Sequence, residues 1–149
     1  IKTGIEQTCW FGRNEIIQKT PTIIFDVGHN ESGILAFLDY FNSLDNIGTS
    51  VFILSLQRRK NILRIVPQIL SAFDVIICCE TNNIRTMTID EISLQIGKSK
   101  KIKYIQSPID AIQVGLTFLK NHDDSMAIVG THHFGGPIST IFNKSFNTL

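Results

Sequence analysis

The stretch PTIIFDVGHN, residues 21–30, decides the fold. Thr22 to Phe25 is too uniformly apolar to alternate and too short for a helix, so it reads as a strand buried on both faces, the habit of strands inside parallel sheets. Asp26, Gly28, His29 and Asn30 follow at its carboxyl end. In open α/β sheets, ligands collect just beyond the carboxyl ends of strands, so a carboxylate, a flexible glycine, an imidazole and an amide emerging there together make a candidate site. Glu31 to Leu44 then carries Ile34, Leu35, Phe37, Leu38 and Phe41 at helical spacing, with Asn30 or Ser32 placed to cap it. The candidate site therefore lies on a strand-to-helix turn, where unpaired backbone N–H groups and a partial positive charge suit phosphate or carboxylate. DVGHN has one glycine and is not the GxGxxG fingerprint, so it does not by itself indicate a dinucleotide.

Working outward from this turn, Trp10 to Arg13 reads as a turn-like approach to a short strand within Asn14 to Lys19. Pro21 separates that strand from the central one, which predicts an antiparallel pair with the earlier strand at an edge. Downstream, Ser50 to Leu56, Asp74 to Cys79, Ile102 to Ile105 and Ser125 to Gly130 are further strands. Helices are expected over Ile62 to Ala72, Thr88 to Ile96, Ile109 to Lys120 and Ile138 to Phe146. Pro67 inside the first of these predicts a kink or a late start. Thr88 with Glu91 is a capping-box pattern, and Pro108 and Pro137 mark helix beginnings. Strands alternating with helices at this spacing predict an α/β fold, a Rossmann-like three-layer sandwich whose mostly parallel sheet has about six strands.

Composition narrows the function. At 149 residues the chain has the size of one domain, and a formal net charge of +1 with 18% charged residues gives no strong field for nucleic acid or a membrane surface. Its apolar runs fall far short of the roughly 18 residues that span a bilayer, and a cytoplasmic location is expected. Three cysteines, Cys9, Cys78 and Cys79, are an odd number, and the adjacent pair would face opposite ways on a strand, so they read as reduced core residues. Basic residues after a strand, as in Arg58 to Lys60, could meet an anion, although such a run is more often a solvated corner. Asp123 and Asp124 read as a loop tip, and His132 and His133 lack Cys, Asp or Glu at ligand spacing, so no metal site is expected here.

Two segments together carry a family resemblance. Trp10-Phe-Gly-Arg13-Asn-Glu15 followed by Asp26-Val-Gly-His29-Asn30 resembles the W-P-G-R-x-E and D-x-A-H-N segments in the C-terminal domain of folylpolyglutamate synthase and dihydrofolate synthase, members of the Mur ligase superfamily. Ser55 to Lys60 falls where that family has G-x-x-x-D-K-D, and Val129-Gly-Thr131 where it has T-G-S. Phe11 replaces the usual proline and Gly28 the usual alanine, while Lys60 lacks the flanking acids. Asn30 directly after His29 favours the folate enzymes over the peptidoglycan Mur ligases, the nearest alternative. A free-standing flavodoxin-like binding module is the alternative from another class.

The resemblance implies a fragment, residues 1–149, of a longer ATP-dependent ligase that adds L-glutamate to dihydropteroate or reduced folates through an acyl phosphate. It implies a preceding ATPase domain as partner, holding the P-loop and the Mg2+ ligands, a monomeric enzyme, and no activity for this domain alone. Carried over by residue, Arg13 and Asp26 would bind ATP and His29 would be catalytic, organising nucleotide and incoming glutamate. Asn30, Lys60 and Thr131 would be possible substrate or nucleotide contacts.

Overall fold

The computed structural model describes residues 12–45 and 47–144. Trp10, Phe11, Cys9 and the expected helix end at Phe146 lie outside them. Among the described residues, six strands form one sheet: β1 (Glu15–Lys19), β2 (Thr22–Asp26), β3 (Ser50–Leu54), β4 (Val75–Cys78), β5 (Ile102–Tyr104) and β6 (Ser125–Val129), in the spatial order β1-β2-β6-β3-β4-β5. Only β1 runs antiparallel, paired with β2 at the edge, and the other pairs are parallel. The expected edge hairpin and mostly parallel sheet are both present.

Among the described residues, five helices cover the faces: α1 (Glu31–Asn42), α2 (Val66–Ala72), α3 (Ile89–Ile96), α4 (Pro108–Leu116) and α5 (Gly135–Phe142). Strand alternation divides the core. Ile24, Phe52, Ile76 and Ala127 pack with Phe37, Ile69 and Ile92 of α1, α2 and α3, whereas Ile23, Ile53, Ile77 and Met126 pack with Ile112 and Ile138 of α4 and α5. Cys78 joins the first face and Cys79 the second, as a period of two requires, and burial pushes the Cys78 thiol up to about 12.

Element ends follow local chemistry. Asn30 caps α1 by accepting from the Gly33 N–H, and Thr88 and Glu91 complete the capping box of α3. Pro67 gives the second helix a late start: Leu63–Ile65 forms a 3-10 turn and α2 begins at Val66. α4 stops at Leu116, earlier than the apolar pattern predicts, and α5 starts at Gly135, ahead of Pro137. Asp124 is no loop tip. It is 1% exposed, and its carboxylate accepts from the N–H groups of Thr49, Lys120 and Asn121 at 2.7–2.8 Å, tying the turn before β6 to the start of β3.

The topology also fixes where a ligand fits. β6 lies between β2 and β3, yet the helix after β2 covers one face and the helix after β6 covers the other. Such a reversal opens a crevice at the carboxyl ends of the strands, beside Asp26 and Val129.

Candidate functional site

Asp26 closes β2 at 7% exposure with both carboxylate oxygens in use: Oδ2 accepts from the Asn14 N–H at 2.9 Å and Oδ1 from the Gly28 N–H at 2.7 Å. Those bonds compensate the charge for its burial and leave further lone pairs for a ligand hydroxyl. The same contacts position Arg13. The Val27 N–H donates to Gly12 O at 2.6 Å, so the residues on either side of Arg13 are both tied to the β2 turn. Gly12 (φ 73) and Asn14 (φ 46) adopt left-handed backbone there, and a Cβ on Gly12 would stand 2.4 Å from Val27 Cγ1. The glycine lets the two loops touch.

The Arg13 guanidinium is exposed and makes no hydrogen bond or ion pair among the described residues. Arg13, Asp26, His29 and Asn30 all line one cleft of about 360 Å³, floored by Gly28 and the first turn of α1. A cation, a carboxylate and the amino end of a helix thus share one opening. That combination suits a ligand carrying both phosphate and hydroxyl groups: the guanidinium forms bidentate bonds to phosphate, and the carboxylate accepts from hydroxyls.

His29 is exposed, with Nδ1 3.2 Å from Val27 O. A carbonyl accepts only from a protonated nitrogen, so in this contact Nδ1 is the donor and Nε2 is left for a ligand. His29 also lines a second cleft, of about 280 Å³, with Gln57, Gly130, Thr131 and His132. Thr131 is 2% exposed and its Oγ1 accepts from the His133 N–H, capping the 3-10 turn His132–Phe134. The His132 and His133 rings lie 4.1 Å apart; burial, then the neighbouring His132, lowers the His133 pKa.

The sequence-predicted residues therefore divide. Arg13, Asp26, His29 and Asn30 come together, and Thr131 meets His29 across the second cleft. Asn30 Oδ1 is engaged with the Gly33 N–H and the Ser32 hydroxyl, so that oxygen serves the helix cap. Lys60 does not join them; it lines a separate cleft that meets the second only through Gln57. Sequence reasoning missed Asn14 and Gln57, which have no motif signal. Asn14 acts through its backbone N–H, and Gln57 is brought in by strand order. Among the described residues, no three His, Cys, Asp or Glu side chains assemble as metal ligands.

Comparisons with known proteins bear on the family and the fold. The family model for the Mur ligase, glutamate ligase domain, matches residues 12–132. Dihydrofolate synthase/folylpolyglutamate synthase of Escherichia coli (strain K12) is 22% identical over 133 residues, covering 89% of this chain and 31% of that protein. Among solved structures, Mycobacterium tuberculosis folylpolyglutamate synthase complexed with ADP and AMPPCP superposes with a TM-score of 0.84 at 20% identity, over 97% of this chain and 35% of that one. E. coli FolC in complex with DHPP and ADP gives 0.78 at 20% identity, over 94% and 32%. The chain spans about a third of the length of these relatives.

Proposed function

Since the chain belongs to the Mur ligase glutamate ligase domain family, we propose that it is the C-terminal domain of an ATP-dependent ligase that joins L-glutamate to dihydropteroate, to reduced folates or to both. The observation that carries this reading is the shared cleft of Arg13, Asp26 and His29 at the carboxyl end of β2. A carboxylate is a poor acylating agent. ATP, when bound, would supply the phosphoryl group that converts it to an acyl phosphate, leaving ADP, and the amine of glutamate would displace inorganic phosphate from that acyl carbon to give the amide. Arg13 would meet the phosphates and offset their charge, and Asp26 would hold the nucleotide through its sugar hydroxyls. His29, with Nε2 free, would organise nucleotide and glutamate at the junction of the two clefts, and Thr131 would border the glutamate side. In this reading a preceding domain would supply the P-loop and the Mg2+ ligands. Closure of the two domains on ATP would complete the site.

The test is ATP-dependent glutamate incorporation by the complete protein, with dihydropteroate and with a reduced folate as acceptors. Arg13→Ala and Asp26→Ala should each lower kcat/KM by about 10²-fold or more, as loss of a charge-assisted phosphate or nucleotide contact does. Wild-type rates in both variants would remove these residues from the site.

A further inference from the structure

The reaction proposed above contains a step that no residue named so far performs. An amino acid arrives at neutral pH as an ammonium ion, and its nitrogen has no lone pair for attack until a proton leaves it. The cleft on the glutamate side is lined by Val27, His29, Gln57, Gly130, Thr131 and His132, of which only the two histidines belong to the side-chain type that exchanges a proton near neutral pH. They are not equivalent. His29 also lines the cleft of Arg13 and Asp26, where phosphate is expected, and an imidazole beside phosphate is favoured as the cation, with no lone pair to offer. His132 lines the second cleft and not the first. Its ring is exposed, and its nitrogens make no hydrogen bond or ion pair among the described residues. The turn that carries it is fixed on both sides: Thr131, 2% exposed, accepts the His133 N–H at 3.2 Å, and Phe134 is buried in the core layer of α4 and α5. The His133 ring lies 4.1 Å from that of His132 and lines a further cleft, of about 780 Å³, with Glu80 and Asp110. Neither carboxylate pairs with it among the described residues, and burial, then His132, lowers its pKa. His133 therefore stays neutral near neutral pH, and His132 can take up a proton with no cation on the adjoining ring.

We propose that the His132 imidazole takes the proton from the ammonium group of the incoming amino acid. The inference rests on the function proposed above. One N–H bond breaks toward the imidazole, the freed lone pair forms the C–N bond at the acyl phosphate carbon, and the C–O bond to phosphate breaks with its electron pair on the departing oxygen. The nitrogen's second surplus proton leaves with the phosphate, and the imidazolium returns its own to water.

The experiment compares the complete ligase with its His132→Gln variant, using glutamate and, separately, hydroxylamine, a nucleophile already unprotonated at neutral pH that traps the same acyl phosphate as a hydroxamate. Transfer to glutamate should fall by about 10²-fold in the variant, the usual worth of a positioned base, while hydroxamate forms at the wild-type rate. The deficit with glutamate should narrow as pH rises, because free amine then becomes abundant without help. Equal loss of both products at every pH overturns the proposal in favour of a structural role for the turn, and unchanged glutamate transfer overturns it outright. The selective loss appearing in His29→Gln instead of His132→Gln overturns it in favour of His29. A wild-type protein that forms neither amide nor hydroxamate, with dihydropteroate or with a reduced folate as the acid, defeats the function proposed above and the base with it.

Discussion

Gly130 shows how closely single residues are fitted at the carboxyl end of the sheet. It follows β6 at φ 124, and a Cβ built there would lie 1.9 Å from Ser55 O in the segment leaving β3. Any side chain would have to push two central strand ends apart. Gly130→Ala should destabilise the fold by about 3 kcal/mol, read from the midpoint of chemical denaturation, because backbone strain adds to a clash with main chain that cannot rotate away. A variant as stable as wild type would show that the strand ends can part at little cost. Asp26 is bound in another way, through the backbone N–H groups of Asn14 and Gly28, so it both builds the turn and faces the cleft. Asp26 and His29 were legible as candidates because side-chain chemistry at a strand end carries a pattern, and Arg13 only through the family resemblance of its segment. Asn14 and Gln57 were not, since the first contributes only a backbone N–H and the second depends on which strand lies beside which.

Strand ends are held by carboxylates as well as by apolar faces. Asp74 accepts from the Ser50 N–H at 2.9 Å at the start of β3, and Asp124 gathers three N–H groups before β6. Hydrogen bonding from Asn121 first, with Lys120 and Thr49, lowers the Asp124 pKa against the opposing effect of burial. A carboxyl depressed in the folded state contributes stability that is fully present above the ordinary aspartate value of about 3.9 and is lost as pH falls through the lower folded value. Asp124→Ala should therefore be less stable than wild type at neutral pH, with the gap closing below about pH 4. Urea midpoints between neutral and strongly acid pH check this, and a gap independent of pH would contradict it. The sequence presents Asp123-Asp124 as a solvated tip because charge in a polar loop normally is one; burial here comes from residues as distant as Thr49. The Thr88–Glu91 capping box, by contrast, is local in sequence and was legible before folding.

The molecule as a whole is a sheet with a separate apolar layer on each side and its polar clefts gathered at one end. Both layers are built from residues of this chain, so the chain should fold by itself, while the reaction proposed for it needs a phosphate-binding loop supplied from elsewhere. The 149-residue chain is expected to melt cooperatively by circular dichroism and to release no phosphate from ATP; steady ATP turnover by this chain alone would refute the division of labour. Hydrophobic periodicity was enough to specify the α/β class, the edge strand and the strand-to-helix turn at Asp26, because buried strands, amphipathic helices and their caps are written within a few residues of one another. The placement of β6 between β2 and β3, the meeting of His29 with Thr131 and the convergence of Arg58 to Lys60 with Arg85 came from the folded chain alone. Those neighbours are set by strand pairing and by which face each crossover helix covers, and such long-range choices leave no local mark on the residues they bring together.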